Sequence, residues 1–211
     1  MIEGKVSIFI PLMRPEKLLA LEANIRDTTS EPYEIVVACT QQVADQAPVE
    51  NECWFQIDNG GTYAERMNSM FNTTSSPFVF LAADDVLFHK NWLDYALQVM
   101  ERVNGVVVPQ DMLNPAGTHC LISRAYIEEF GSGTMDNSGS LLHSGYKHAY
   151  CDAELFDTAR KRERFAYAKH SIVEHLHWAN KKSPNDAVYQ LGESFYLQDQ
   201  EHFITRRHLW A

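Results

Sequence analysis

The chain has 211 residues, 45% of them hydrophobic and 22% charged, with a formal net charge of −10. That is enough chain for one domain with its own core, and the apolar fraction excludes wholesale disorder. The acidic balance disfavours a partner gripped by its phosphates, and the longest apolar stretches, residues 6–13 and 78–83, fall far short of the roughly 20 residues that span a bilayer.

Residues 5–10 read as a buried strand ended by Pro11, and Pro15 suits the first turn of a helix running to about Arg26 on an apolar face of Leu18, Leu21 and Ile25. A second strand is predicted over 33–38 and a short third over 53–57, followed by the Asp58-Asn59-Gly60-Gly61 break and a helix over 63–72. Residues 77–82 form the most hydrophobic run, expected as a central strand that empties into Asp84-Asp85. A helix over 91–103 and a strand over 106–108 complete an alternation of strand and helix that predicts a mostly parallel sheet with helices on both faces.

The second half is less regular. Residues 131–145, rich in Gly and Ser, read as a mobile loop. Residues 152–162 read as a helix opened by Asp152 and Glu154 and closed by Arg160, Lys161 and Arg162, which suits its dipole. Residues 171–174 read as a short strand, and the tail carries Asn185-Asp186 as a cap with Tyr189, Phe195, Tyr196 and Phe203 as anchors. The four cysteines are scattered without a CxxC pair, and Met1–Lys5 show no basic leader, so the expectation is free thiols in a soluble, cytoplasmic protein.

Two adjacent carboxylates at a strand end repel each other unless a cation or a set of donors neutralises them, and strand ends are where open α/β sheets bind ligands. From spacing alone, Asp84-Asp85 reads equally as a divalent-metal and diphosphate site or as a turn and helix cap.

The series Val6-Ser-Ile-Phe-Ile-Pro11, Tyr33-Glu-Ile-Val-Val37, Ala64-Glu-Arg-Met-Asn68 and Phe80-Leu-Ala-Ala-Asp-Asp-Val-Leu87 resembles family 2 glycosyltransferases of the GT-A fold, in order and spacing over residues 5–110. Cys151-Asp152-Ala-Glu-Leu155 is similar to the family's base motif, and Val173-Glu-His-Leu-His177 lies where the family often supplies a metal-binding histidine. Four positions depart from the pattern. Ala82 replaces the first metal-motif acid, Ala38-Cys39-Thr40 replace the acids that hold uracil and ribose, Cys151 replaces a Glu, and Asn68 follows Arg66 by two residues instead of one.

The resemblance implies a small, soluble, phage-type member with an α/β, Rossmann-like GT-A sheet in a single compact domain over 1–211. Residues 1–110 would bind the nucleotide sugar, and 111–211 would bind the acceptor and form a helical tail. It implies inverting transfer assisted by Mn2+ or Mg2+ from a nucleoside-diphosphate sugar, a UDP-sugar first, to a saccharide, protein or modified-nucleobase hydroxyl. The charge does not favour a nucleic-acid acceptor. By resemblance Asp85 is the metal ligand with His175 or His177, Asp84 contacts ribose or a metal-bound water, and Asp152 is the general base. Pro11, Leu12, Arg14, Thr40 and Arg66 are the remaining donor-site candidates, and Trp178 is the candidate to line an acceptor pocket. His119, His143 and His148 read singly as surface polarity, Glu154 as a dipole partner, and the basic run 160–164 as a solvated helix end. A nucleotidyltransferase and a catalytically inactive sugar-nucleotide-binding module stay open beside the transferase.

Overall fold

All six residues of β1 (Val6–Pro11) are buried. A strand covered on both faces reads as a continuous apolar run, because its alternating side chains enter two cores rather than one core and solvent. The computed structural model describes residues 4–48, 53–136 and 138–210, so Met1–Glu3, read above for a leader, and Asn137 lie outside it. After β1 come α1 (Leu18–Thr28), β2 (Tyr33–Thr40), the single turn α2 (Gln41–Ala44), β3 (Cys53–Asp58), α3 (Tyr63–Thr73), β4 (Phe78–Leu81), β5 (Val86–Phe88) and α4 (Trp92–Val103). The second half adds β6 (Val106–Gln110), β7 (Cys120–Ser123), α5 (Arg124–Phe130), α6 (Cys151–Lys161), β8 (Phe165–His175), α7 (Ala187–Ser194) and α8 (Tyr196–Arg206).

The strands form one eight-stranded sheet in the order β3-β2-β1-β4-β7-β6-β8-β5, so a single sheet serves both halves of the chain. Val6, Ile8 and Ile10 enter one core with Ile35 and Val37, sealed by Leu18, Leu21 and Ile25 of α1 and Trp92 and Ala96 of α4. Phe9, Val36 and Val79 enter the opposite core with Met67 and Met70 of α3, Tyr126 of α5 and Leu155 of α6. Helices therefore cover both faces, as expected. Pro11 is tolerated at the end of a central strand because the ladder resumes beyond it, Leu12 N–H donating to the Ala38 carbonyl at 2.9 Å.

The expectation of a mostly parallel sheet needs correcting to a mixed one. β3, β2, β1 and β4 run parallel, but β7 lies antiparallel between β4 and β6, and β5 pairs antiparallel with β8. β5 and β7 have three and four residues, too few to show a period in sequence. β8 spans eleven residues where four were expected, because Lys169 and His170 are exposed at a register irregularity beside Pro109 and Gln110. The 131–145 segment is also no free loop. Ser132 and Thr134 are buried and share hydroxyl hydrogen bonds, and Arg162 donates to the Ser132 and Thr134 carbonyls at 2.7 and 2.9 Å. Arg162 is therefore a strut and not part of a solvated helix end. All four cysteines are free thiols.

Trp92 is the bulkiest fully buried side chain, wedged against Phe80 and Phe88 with ring centroids 4.7 and 4.5 Å away, its indole N–H on Thr29 at 2.9 Å. Trp92→Ala leaves a cavity and removes a hydrogen bond, an expected loss of about 3–5 kcal/mol. Urea unfolding checks this, and a loss under about 1 kcal/mol would show that α4 closes without it.

Candidate active site

β4 delivers Asp84 and Asp85 to the carboxyl end of the parallel strands, where Ala82 N–H still pairs with Phe9 of β1. The two carboxylates, both buried, then take different partners. Asp84 accepts from the backbone N–H groups of Met13 and Arg14, each at 2.8 Å, and from the Arg14 guanidinium at 2.6 Å. Burial pushes the Asp84 pKa upward, against three donors, one of them cationic, that favour its charged form. Arg14 also donates to Asp186, the cap of α7, at 2.7 and 3.1 Å, and lies 4.1 Å over the Tyr189 ring. Asp84 and Arg14 are thus bound to each other.

Asp85 faces a different group of side chains. The pairing of Val86 with His175 across β5 and β8 sets His175 beside it, and Leu176 N–H donates to the Asp85 carbonyl at 2.8 Å. His175 Nε2 stands 3.3 Å from Asp85 Oδ2, and the Tyr189 hydroxyl donates to that same oxygen at 2.8 Å. Burial opposes the charge, but the contacts from His175 and Tyr189 outweigh it and hold Asp85 well below the usual carboxylate range. Thr118 Oγ1 lies 3.3 Å from His175 Nδ1 and turns the ring so that Nε2 meets the acid.

β8 ends at His175, and the chain bends there. His177 caps the turn Trp178–Asn180, with its ring 5.0 Å from His175 and 4.5 Å from Tyr189. Its Nδ1 accepts from Ala179 N–H, which leaves His175 as the histidine beside Asp85. His119 is buried rather than on the surface, 5.0 Å from the His175 ring, and desolvation lowers its pKa to about 3. A neutral ring suits a site that already holds another imidazole.

Two ligands of one octahedral ion, each about 2.1 Å from it, stand about 3 Å apart. The 3.3 Å between Asp85 and His175 fits that spacing. No cluster of three or more His, Cys, Asp or Glu arranged to hold a metal occurs among the described residues.

Asp152 lies in the first turn of α6, one position in from Cys151, and Tyr150 is the cap. Its carboxylate accepts from Ala153 N–H at 2.9 Å, and desolvation raises its pKa to about 6 within electrostatic reach of His175. Glu154 is fully buried, not a surface dipole partner, and binds Arg206 at 2.6 and 2.9 Å and the Tyr146 hydroxyl at 2.7 Å.

The remaining candidates divide. Arg66 is buried and ion-paired to Asp58 at 2.7 Å, and the two line a cavity of about 370 Å³ with Ala38, Asn59 and Gly60 at the ends of β2 and β3. Asp58, read only as part of a turn, thereby shares the wall of that cavity. Thr40 does not line that cavity; it caps α2 through Val43 N–H at 3.4 Å. Pro11 and Leu12 are buried, and the Leu12 side chain packs in the α1 core, leaving only its backbone near the site. Asn68 exchanges two 2.8 Å hydrogen bonds with Leu142 and fixes that loop. Trp178 is half-buried beside His177. Asp186 and Tyr189 were visible only as a cap and an anchor, since no local pattern reveals contacts with Arg14 and Asp85 across 172 and 104 positions.

Arg14→Ala would leave Asp84 buried without its cation, an expected loss of about 3–5 kcal/mol, partly recovered in Arg14→Ala/Asp84→Asn. A double-mutant cycle by chemical denaturation checks the coupling.

No family model and no curated protein sequence matches the chain. Among solved structures it is similar to the mannosyltransferase PcManGT from Pyrobaculum calidifontis in complex with GDP-Man and Mn2+, at 13% identity and TM-score 0.59 over 82% of this chain and 57% of that one. It is also similar to residues 1–349 of S. aureus TarS, at 14% identity and TM-score 0.58 over 81% of this chain and 60% of that one. The chain thus spans less than two thirds of either structure, and the likeness shows that it shares their mixed α/β fold.

Proposed function

We propose that the chain is an inverting glycosyltransferase that moves a sugar from a nucleoside-diphosphate donor to an acceptor hydroxyl. The observation that carries this reading is the convergence of Asp85, His175 and Asp152 at one end of the sheet, on a fold shared with a mannosyltransferase bound to GDP-Man and Mn2+. Asp85 and His175 would hold a divalent cation, Mn2+ or Mg2+, which supplies positive charge to the departing diphosphate. The cavity walled by Asp58 and Arg66 suits the nucleoside end of a UDP- or GDP-sugar.

Asp152 acts on the acceptor. As the acceptor oxygen bonds to the anomeric carbon, the bond from that carbon to the phosphate oxygen breaks and the hydroxyl proton passes to the Asp152 carboxylate. A pKa raised to about 6 makes Asp152 a better proton acceptor than an ordinary Asp, which titrates near 4, while it stays mostly ionised at neutral pH. The elevation also costs stability. Between about pH 4 and 6 the folded chain holds a proton that the unfolded chain has released, so this group's contribution falls as the pH rises through that window.

Incubation with UDP- and GDP-sugars, Mn2+ and an acceptor panel, reading nucleotide release and product mass, tests the proposal. Asp85→Ala is expected to lose metal-dependent release by about 100-fold or more. Asp152→Asn is expected to keep donor binding and lose transfer by about 100- to 10,000-fold. Wild-type kcat/KM should rise through about pH 6 and level above it. Donor binding with no turnover on any acceptor would favour the inactive binding module.

A further inference from the structure

A second cavity, of about 360 Å³, opens on the acceptor side of Asp152. It is a groove along one face of α6: Asp152 stands at one end, Phe156 and Asp157 follow one turn on, and Arg160 lies at the other end. The eight helical steps of 1.5 Å from Asp152 to Arg160 make it about 12 Å long. The facing wall is the loop through Asn114 and Thr118, which turns at Gly117, where φ is 70° and any Cβ would collide with Val108.

The Asp152 end is closed by an aromatic pair built at some cost. Tyr150 adopts a left-handed backbone at φ 65°, a strained conformation for an aromatic residue, and its ring lies 5.3 Å from that of Tyr196. The Tyr150 hydroxyl donates to the Tyr196 hydroxyl at 2.7 Å and accepts from Gln200 at 2.9 Å. Tyr196 is nevertheless 47% exposed. A large ring that is held in place without being buried contributes little to the core, although its position in the tail suggested an anchor; what it offers is a fixed flat surface at the mouth of the groove.

We infer that this groove binds a saccharide acceptor, with the sugar bearing the attacking hydroxyl against the Tyr196 ring and the chain extending along α6 toward Arg160. The inference rests on the proposed glycosyl transfer and adds the acceptor's class. Sugars present C–H faces to flat apolar surface and hydroxyls to polar groups, and this groove sets the exposed Tyr196 ring beside Asn114, Thr118 and two carboxylates. Its one cation is not free for a phosphate: Arg160 is paired with Asp157 at 2.7 Å and stacked 4.1 Å over Phe165. Carboxylates outnumber cations along the groove, which disfavours a nucleic-acid chain. The walls are a helix face and a loop with no open strand edge, so an extended peptide finds no backbone ladder to join.

Calorimetric titration of the full chain with mono- to trisaccharides of hexoses, N-acetylhexosamines, deoxyhexoses and uronic acids tests this, beside serine and threonine peptides and nucleosides. A saccharide should bind saturably, Tyr196→Ala should weaken it about tenfold, and Tyr196→Phe, which keeps the ring, should stay within about threefold of wild type. Melting temperatures of both variants report folding. No saccharide binding, an affinity unchanged in a folded Tyr196→Ala, or peptide or nucleoside binding in place of saccharide would overturn the inference. Nucleotide-sugar binding is measured separately; its absence sinks the donor reading, whereas failure of the saccharide arm with intact donor binding sinks this one alone.

Discussion

The buried Arg14 guanidinium is the contact on which the arrangement of the site depends. Two acids in succession at a strand end cannot both stay charged in a desolvated site without compensation. Arg14 resolves the conflict by binding one of them, at 2.6 Å, while the Met13 and Arg14 N–H groups satisfy that acid's other oxygen. Asp84 is thereby neutralised and positioned, and Asp85 is left to present its charge elsewhere. A lysine would not reproduce this, because only a planar fork can serve Asp84 with one nitrogen and Asp186 with two others.

The second grip of Arg14, on Asp186, brings the C-terminal segment to the same point, and a series of charge-assisted contacts then runs from the Asp84-Asp85 pair to α6. Asp186 caps α7, Tyr189 one turn on reaches Asp85, and α8 carries the series further through Asp199. The Asp199 carboxylate is fully buried and accepts from the N–H groups of Lys147, His148 and Ala149, each at 2.8 Å. That backbone leads directly into Tyr150 and the first turn of α6. Arg206, at the end of α8, holds Glu154 in that same turn. The position of Asp152 is thus set by the tail, though the tail contributes no candidate base or metal ligand of its own.

This arrangement explains which parts of the molecule were legible in the sequence. β1, β2 and β4 announced themselves because strands buried on both faces are written as unbroken apolar runs, and the Asp pair was visible because it follows one of them directly. α6 was readable from the charges at its two ends, although its cap was not, since nothing marks Tyr150 for a left-handed backbone. β5, β7 and α5 are too short for a period, and their existence is decided by the pairing of β7 with β4 and of β5 with β8. His119 and Asp58 have side chains typical of the surface and were placed by tertiary packing alone. Asp186 and Tyr189 lie at the far end of the same limit, with correct local roles and long-range roles that no window of sequence contains.

Two carboxylates of the site contrast in how their charge is stabilised. Asp85 is surrounded by donors, His175 and Tyr189, which stabilise its charge so far that it cannot usefully take a proton near neutral pH. Asp152 accepts from the Ala153 N–H, and desolvation outweighs that contact and the nearby His175, so its proton affinity rises. Burial also raises Asp84, but its charge is compensated by Arg14 in an ion pair, whereas Asp152 accepts from a backbone N–H. Here one site drives two acids of the same type in opposite directions, the pattern expected when one must stay charged and the other must accept a proton.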